Sequence, residues 1–423
     1  MCLQSHITNC LYRENVMETP NDVIYDWNVQ GDVHSPPMKK VEFFDETLRD
    51  GIQCPSIVDP PIEKKLEILR FLDKIGIDEA DIGLPGAGPR AVEDVTIMVE
   101  TIRDEGLNIR PAAAARTHPN DIQPIIDITQ KTGVPIEIYA FLGSSPIRLY
   151  TEGWDEERLE KHTRTAARMA KQNNMPYCFV TEDTVRSHPK TLDRLFRAAI
   201  EEGTDRLCLC DTVGHATPDG VFNLIYFSKN LIRAMGTQTK IDWHGHSDRG
   251  LSLVNALYAI EAGADRIHGT ILGIGERVGN TNLDLLLVNL KLLGIIDNDL
   301  KDLGVLVDKV AQATAWDIPV NYPVFGRDAF RTGTGVHAAA VIKALKKGDP
   351  LLADQIYSGV PASWFGKEQE IEIGPMAGNS NIMYWLHKNK YEASEENIQR
   401  IRERAKNTDR LLSDEELHTI LKQ

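Results

Sequence analysis

Between Lys40 and Gly294 the chain alternates short apolar runs with longer amphipathic ones eight times, and this count restricts the fold more than any other feature. The runs Val41–Phe44, Glu79–Leu84, Asn108–Arg116, Pro135–Leu142, Tyr177–Asp183, Asp205–Cys210, Lys240–His246 and Arg266–Ile271 read as strands apolar on both faces. The segments between them read as helices. In Glu63–Ile75, for example, Leu66, Leu69, Leu72 and Ile75 recur at helical spacing, with Pro60-Pro61 ahead and Gly76 behind as start and stop signals. Strands buried on both faces and joined by helices are parallel, and eight of them at this length close on themselves. The predicted fold class is therefore α/β, a (β/α)8 TIM barrel over residues 38–294. An open doubly wound sheet is the alternative, but no Gly-x-Gly-x-x-Gly fingerprint follows the first strand. Residues 1–37 read as an irregular arm in which Tyr25, Trp27 and Val29 have something to pack. Residues 295–423 read as a smaller helical C-terminal subdomain region over the active site, too small and polar to fold well alone. Its helical signals are Asp299–Thr314, an Ala-rich helix ending the segment 325–345, and Ser394 capping a charged helix.

Composition narrows the partners. A net charge of −15 argues against a nucleic-acid partner but leaves room for an anionic small molecule held by local arginines. Six cysteines in 423 residues make no disulfide framework, and Cys208-x-Cys210 sits in an apolar strand, so both point to a core role in a reducing compartment. With no apolar run of about 18 residues and no signal-peptide pattern, the expectation is a cytoplasmic protein without a membrane partner.

A barrel carries its chemistry at the C-terminal ends of its strands. Strand one runs into Asp45–Gly51, strand five into Thr181-Glu182-Asp183, and strand six into Asp211-Thr212-Val213-Gly214-His215. Strand seven ends in His244-Gly245-His246, and strand eight in Gly273–Asn280. Residues two apart on a strand share a face, so His244 and His246 project together. An isolated His-x-His is more at home in a polar loop than on a metal, but strands one and seven are near neighbours in a closed barrel. Asp50 with His244 and His246 thus forms a two-His-one-carboxylate set with open positions for a chelating substrate. An Asp50 that merely pairs with Arg49 is disfavoured, because adjacent residues seldom face each other. Asn280 adds a carbonyl ligand or supports one. Zn, Mn and Mg all tolerate this mixed set. Such a cation binds a 2-oxo acid and polarises its carbonyl. Arg49 then steadies the developing oxyanion, Thr212 hydrogen-bonds the substrate carboxylate, Val180 offers an apolar wall, and Glu182 acid–base or orienting function. The loop Gly273–Asn280 also reads as an anion-cradling turn.

Together, Asp45–Gln53, His244-x-His246-x-Asp248-x-Gly250 and Gly273–Asn280 resemble the Claisen-condensing metal-dependent acyltransferases, the 2-isopropylmalate, homocitrate and citramalate synthases. The resemblance spans about residues 40–380. It implies condensation of acetyl-CoA with a 2-oxo acid followed by thioester hydrolysis, metal ligands at Asp50, His244, His246 and Asn280, and catalytic roles for Arg49 and Glu182. It also implies a homodimer in which His337, in Gly335-Val336-His337, serves as base, in its own subunit or reaching over from a partner. Departures are Ser247 where Asn is common and Gly374-Pro375-Met376-Ala377-Gly378 in place of Gly-Lys-His-Ser-Gly. The chain also stops where many 2-isopropylmalate synthases continue into a regulatory domain, so weak feedback by leucine is expected. Cys178 stands where homocitrate synthases place an arginine that reads the far carboxylate of 2-oxoglutarate, and Val180 leaves space for a branched aliphatic group, which favours 2-oxoisovalerate with pyruvate as the runner-up. Arg116, from strand three, is a residue that could still read a second carboxylate. A retro-Claisen lyase would carry a cysteine near the end of the barrel, which Gly273–Asn280 lacks. An iron-dependent oxygenase or a non-catalytic metal-binding barrel would share the ligand trio without the condensation.

Overall fold

The computed structural model describes residues 24, 26–28 and 40–422. Of the arm's packing candidates, Trp27 is exposed and Tyr25 and Val29 lie outside the described residues.

Eight parallel strands close in sequence order: β1 (Glu42–Asp45), β2 (Glu79–Asp81), β3 (Arg110–Arg116), β4 (Glu137–Gly143), β5 (Tyr177–Glu182), β6 (Arg206–Asp211), β7 (Lys240–Gly245) and β8 (Arg266–Gly269). Closure is made by β8 on β1, with Phe43 opposite Ile267 and Asp45 opposite Gly269. Outside run α1 (Ile62–Lys74), α2 (Pro89–Glu105), α3 (Pro119–Thr132), α4 (Pro146–Glu152), α5 (Glu156–Gln172), α6 (Pro189–Glu201), α7 (Pro218–Ala234), α8 (Ser252–Ala262) and α9 (Leu283–Leu292). The chain is thus a (β/α)8 barrel, as the eightfold alternation predicts. Among the described residues no helix is long and apolar enough to cross a membrane.

Two strands are shorter than their apolar runs, for a local reason. Asp81 accepts the Gly83 N–H at 3.3 Å and turns the chain out of β2. After Gly269, Thr47 Oγ1 takes the Ile271 N–H at 2.9 Å and Asp284 the Leu272 N–H at 2.9 Å, so β8 ends early. The helix α4 is absent from the sequence reading. It buries none of its seven side chains, and an element without an apolar face leaves no periodic trace.

The lumen is filled, as a small barrel requires. Phe44, Ala112, Tyr139, Cys178, Val180, Cys208 and Cys210 pack together there, which places the Cys208-x-Cys210 pair in the core. Toward the opposite end, fully buried Arg266 bonds Glu79 and Glu137 at 2.6 Å each and Asp242 at 2.7 Å, and its guanidinium lies 4.4 Å from the Phe44 ring centre. One arginine ties its own strand to three others at the floor.

Beyond Gly294 follow α10 (Leu303–Thr314), β9 (Arg331–Thr332), α11 (Gly335–Lys346), α12 (Pro350–Gln355), β10 (Glu370–Ile371), α13 (Asn379–Lys388), α14 (Glu395–Lys406) and α15 (Asp414–Lys422). Ser394 caps α14, its side chain accepting the Asn397 N–H. Leu303, Leu306, Val307 and Val310 of α10 belong to the main core, whereas Trp385, Leu386, Ile401, Leu412 and Leu417 form an apolar cluster of their own.

Candidate metal centre and active site

The barrel's C-terminal mouth brings Asp50 together with a histidine pair that lies far along the sequence. Ligand atoms of Asp50, His244 and His246 all lie within 4.8 Å of one another, and all three side chains are buried. His244 ends the inward face of β7, and His246 follows across Gly245, with ring centres 5.0 Å apart. The turn after β1 delivers Asp50. Its Arg49 and Gly51 N–H groups both bond Glu46 O, which curls the backbone tightly.

That curl corrects one sequence expectation. Arg49 and Asp50 do face each other, at 2.9 Å, because a tight turn lacks the alternation of a strand. Arg49 also holds Asp81 at 2.7 Å and Glu46 at 2.5 Å, so three carboxylates fix its plane. Asp50 keeps its other oxygen for Asn280, which donates Nδ2–H at 2.9 Å. With Nδ2 so committed, Asn280 Oδ1 is buried and without a hydrogen-bond partner among the described residues, and so is His246 Nδ1. Two orphaned buried acceptors beside a carboxylate and a second imidazole are what a divalent cation satisfies. The residues fit the metal.

Electrostatics agree. Burial disfavours a charged His244, but Glu46 at 2.6 Å and Asp50 outweigh it and lift the imidazole to about 9. Burial, then the charge of His244, pushes His246 down to about 4. Burial works against ionised Glu46 and Asp50, yet His244 and Arg49 hold both below the ordinary carboxylate range. Glu46 can therefore only accept, so His244 donates Nδ1–H to it and turns Nε2 to the cluster, the arrangement of a carboxylate-oriented metal ligand.

In the sequence, Glu46 stands inside the first motif with no role of its own. The signal was present: Phe44 is a lumen residue, and a carboxylate two positions later belongs on the same inward face. Asp81, Tyr139, Glu276 and Arg277 were missed as well. Arg277 bonds Asp248 at 2.9 and 3.0 Å and Thr212 O at 2.6 Å, tying three loops together.

The glycine-rich loop locks Asn280 in place. Asn280 N–H bonds Gly273 O at 2.9 Å. A Cβ at Gly275 would lie 2.2 Å from Asn280 Nδ2, and one at Gly279, where φ is +84°, 1.8 Å from Gly273 O. Glycine is required there by contact as well as by conformation.

A cavity of about 270 Å³ opens beside the cluster, lined by Arg49, Asp50, Val180, Glu182, Thr212, His244 and His246 among others. Leu84, Ala114, Tyr139, Phe141 and Cys210 extend its apolar wall. Thr212 Oγ1 accepts the Asp183 N–H at 2.8 Å, which leaves its own hydrogen to donate into the cavity. Burial raises the Glu182 carboxyl, against the pull of Arg148 at 3.8 Å. Arg116 is not part of this cavity, being exposed and clamped on Asp121 at 2.6 and 2.9 Å. Nor is His337, which is exposed on α11 and stacked on Tyr357 with ring centres 4.1 Å apart.

The model of the HMGL-like family matches residues 40–310. A probable 2-isopropylmalate synthase of Methanopyrus kandleri is 31% identical over 374 residues, covering 87% of this chain and 69% of that protein. A homocitrate synthase of Pyrococcus abyssi is 34% identical over 346 residues, covering 81% of this chain and 89% of that protein. Among solved structures, an HMG-CoA lyase from Acenitobacter baumannii in complex with coenzyme A and 3-methylmalate superposes with a TM-score of 0.55 at 18% identity, over 66% of this chain and 92% of that one. That likeness carries the barrel fold.

Proposed function

The chain belongs to the HMGL-like family and is an enzyme, and from that premise we propose that it condenses acetyl-CoA with 2-oxoisovalerate and hydrolyses the thioester to give 2-isopropylmalate. The observation that carries this reading is the Asp50–His244–His246 cluster with its two orphaned acceptors, opening onto a wall without a spare cation. Both arginines on that cavity are already engaged, Arg49 by three carboxylates and Arg277 by Asp248. A branched aliphatic group fits against Val180, Phe141 and Leu84, whereas a second carboxylate there would be desolvated without a partner. Cys178, fully buried, lies 3.8 Å from Asp242 in the lumen and offers no cationic contact.

A divalent cation held by Asp50, His244, His246 and Asn280 would supply Lewis-acid polarisation of the 2-oxo group. Thr212 donates its hydroxyl hydrogen to the acceptor's carboxylate and fixes which face is presented. Arg49 places fixed positive charge where negative charge develops on the keto oxygen. Glu46 and Asp81 keep that guanidinium from swinging, so the stabilisation is preorganised. Glu182, half-buried at the edge of the cavity, orients the thioester or relays a proton. In this reading His337 removes the acetyl proton from a second copy of the chain. Its exposure on α11, away from the cavity of its own chain, supports that assignment, and the protein then acts as a homodimer in the cytoplasm.

The test is a panel of 2-oxo acids with acetyl-CoA and added Zn²⁺, Mn²⁺ or Mg²⁺, followed by release of free thiol. The highest kcat/KM is expected for 2-oxoisovalerate. A higher value for pyruvate would make the enzyme a citramalate synthase, and one for 2-oxoglutarate would overturn the account of the apolar wall.

A further inference from the structure

A second cavity, of about 360 Å³, lies against the first and shares Phe141 and Glu182 with it. Its lining comes from the ends of β3 and β4, from the loop at Trp154 and from α5, and it includes Arg116, Arg148 and Arg158. Apart from the shared Phe141 and Glu182, neither the metal chemistry nor the acceptor wall uses its lining.

The state of its arginines sets it apart. Most arginines in this acidic protein are locked on carboxylates at 2.6–3.0 Å, as Arg116 is on Asp121 here. Arg148 is not. Its nearest carboxylates, Glu152 at 3.5 Å and Glu182 at 3.8 Å, are beyond good hydrogen-bond length, and its side chain is 46% exposed. Arg158 reaches no carboxylate among the described residues, and its guanidinium stacks on Trp154 at 4.8 Å from the ring centre. Stacking holds the plane of that guanidinium while leaving its N–H edge available. Two guanidinium groups with unfilled donor edges, one of them pre-set by an aromatic face, are matched in shape and charge by a carboxylate or a phosphate. Asp121 is neutralised by Arg116, so Glu182 is the one lining carboxylate that opposes an anion.

We propose that this annex binds an anionic group, carboxylate or phosphate, between Arg148 and Arg158 at the edge of the catalytic cavity. Because Arg148 also faces Glu182, an anion seated there draws Arg148 away from Glu182 and so reaches the reaction centre. The group is either one end of a substrate whose other end lies in the metal-edge cavity, or a free anion acting as an effector. Assigning a substrate source rests on the condensation proposed above, whereas anion binding itself does not.

The probe is inorganic phosphate, titrated calorimetrically into the metal-free full-length chain at low ionic strength, with R158Q and R148Q beside it. Native protein is expected to bind in the millimolar range, and each variant roughly tenfold more weakly. Arg158 is exposed and makes no ion pair among the described residues, so R158Q should keep the fold intact, to be checked by its melting curve. The source follows from steady-state kinetics of R158Q. A several-fold higher KM for acetyl-CoA, but not for acetyl-pantetheine, identifies the phosphates of the cosubstrate. A higher KM confined to 2-oxo acids with a second carboxylate identifies an acceptor's far end. Unchanged KM values with loss of phosphate binding identify a free effector. No phosphate binding by native protein, or equal binding by native protein and R158Q, overturns the proposal. Failure of turnover with every 2-oxo acid would sink the condensation reading and leave the phosphate titration untouched.

Discussion

Metal binding should cost this protein one proton, and the cost is set by Glu46. In the metal-free site His244 is raised to about 9 while His246 is lowered to about 4. At pH 7 the first imidazole is therefore charged and the second neutral, and only His244 must lose a proton for Nε2 to coordinate. Two pH units at about 1.4 kcal/mol each give about 2.7 kcal/mol, or roughly a hundredfold, between the apparent affinity at pH 7 and its plateau above pH 9. The logarithm of the association constant for Mn²⁺ should rise with unit slope from about pH 6 to 8.5. Calorimetry at pH 7 in buffers of different ionisation enthalpy should show about one proton released per ion. A flat profile would mean that His244 is not held as an imidazolium by Glu46. A slope of two would mean that both imidazoles are charged, and either result refutes the reasoning.

Replacing Glu46 by Gln takes the charge from the acceptor that His244 meets at 2.6 Å and Arg49 at 2.5 Å without changing volume; on the high-pH plateau, where no proton has to leave His244, it should weaken metal binding about 10–100-fold, measured by chelator competition. An unchanged constant would show that Glu46 does not orient the ligand. Thr212→Val should raise KM for the 2-oxo acid by about tenfold with little change for acetyl-CoA, the loss of roughly one hydrogen bond to a charged group; a change in the acetyl-CoA KM alone would misplace Thr212. Arg266→Met leaves Glu79, Glu137 and Asp242 facing one another in the lumen and should cost about 3–5 kcal/mol in urea unfolding. A loss below about 1 kcal/mol would show that the floor does not depend on it. The metal-free protein should also lose stability between pH 6.5 and 9. His244 is raised in the folded state and so stabilises it fully only below its unfolded value of 6.5. Asp45 and Glu79, raised by burial to about 7 and 8, act in the same direction, because the folded state holds their protons longer. A melting temperature that rises across this interval would contradict all three assignments.

The order and number of elements were legible because barrel strands buried on both faces stay apolar and the helices between them keep one apolar stripe, patterns that survive in one dimension. The sequence alone also determined that chemistry gathers at one rim, since parallel strands send all their C-terminal ends the same way. Hence Asp50, His244, His246 and Asn280 could be named before their geometry was known, for they follow the first, seventh and eighth strands at that rim. Tertiary structure decided what depends on close approach between loops. That Arg49 turns back on Asp50, that Glu46 grips His244, that Gly279 packs on Gly273 O, and that Arg148 and Arg158 line one cavity with Glu182 all follow from tight turns and inter-loop contacts. Spacing can put a carboxylate such as Glu46 on the inward face, but it does not encode which partner that carboxylate meets. Arg116 and His337 show the converse, for a residue's type and motif permit a role, but the partner already bonded to it, Asp121, or the ring stacked on it, Tyr357, fixes where it lies.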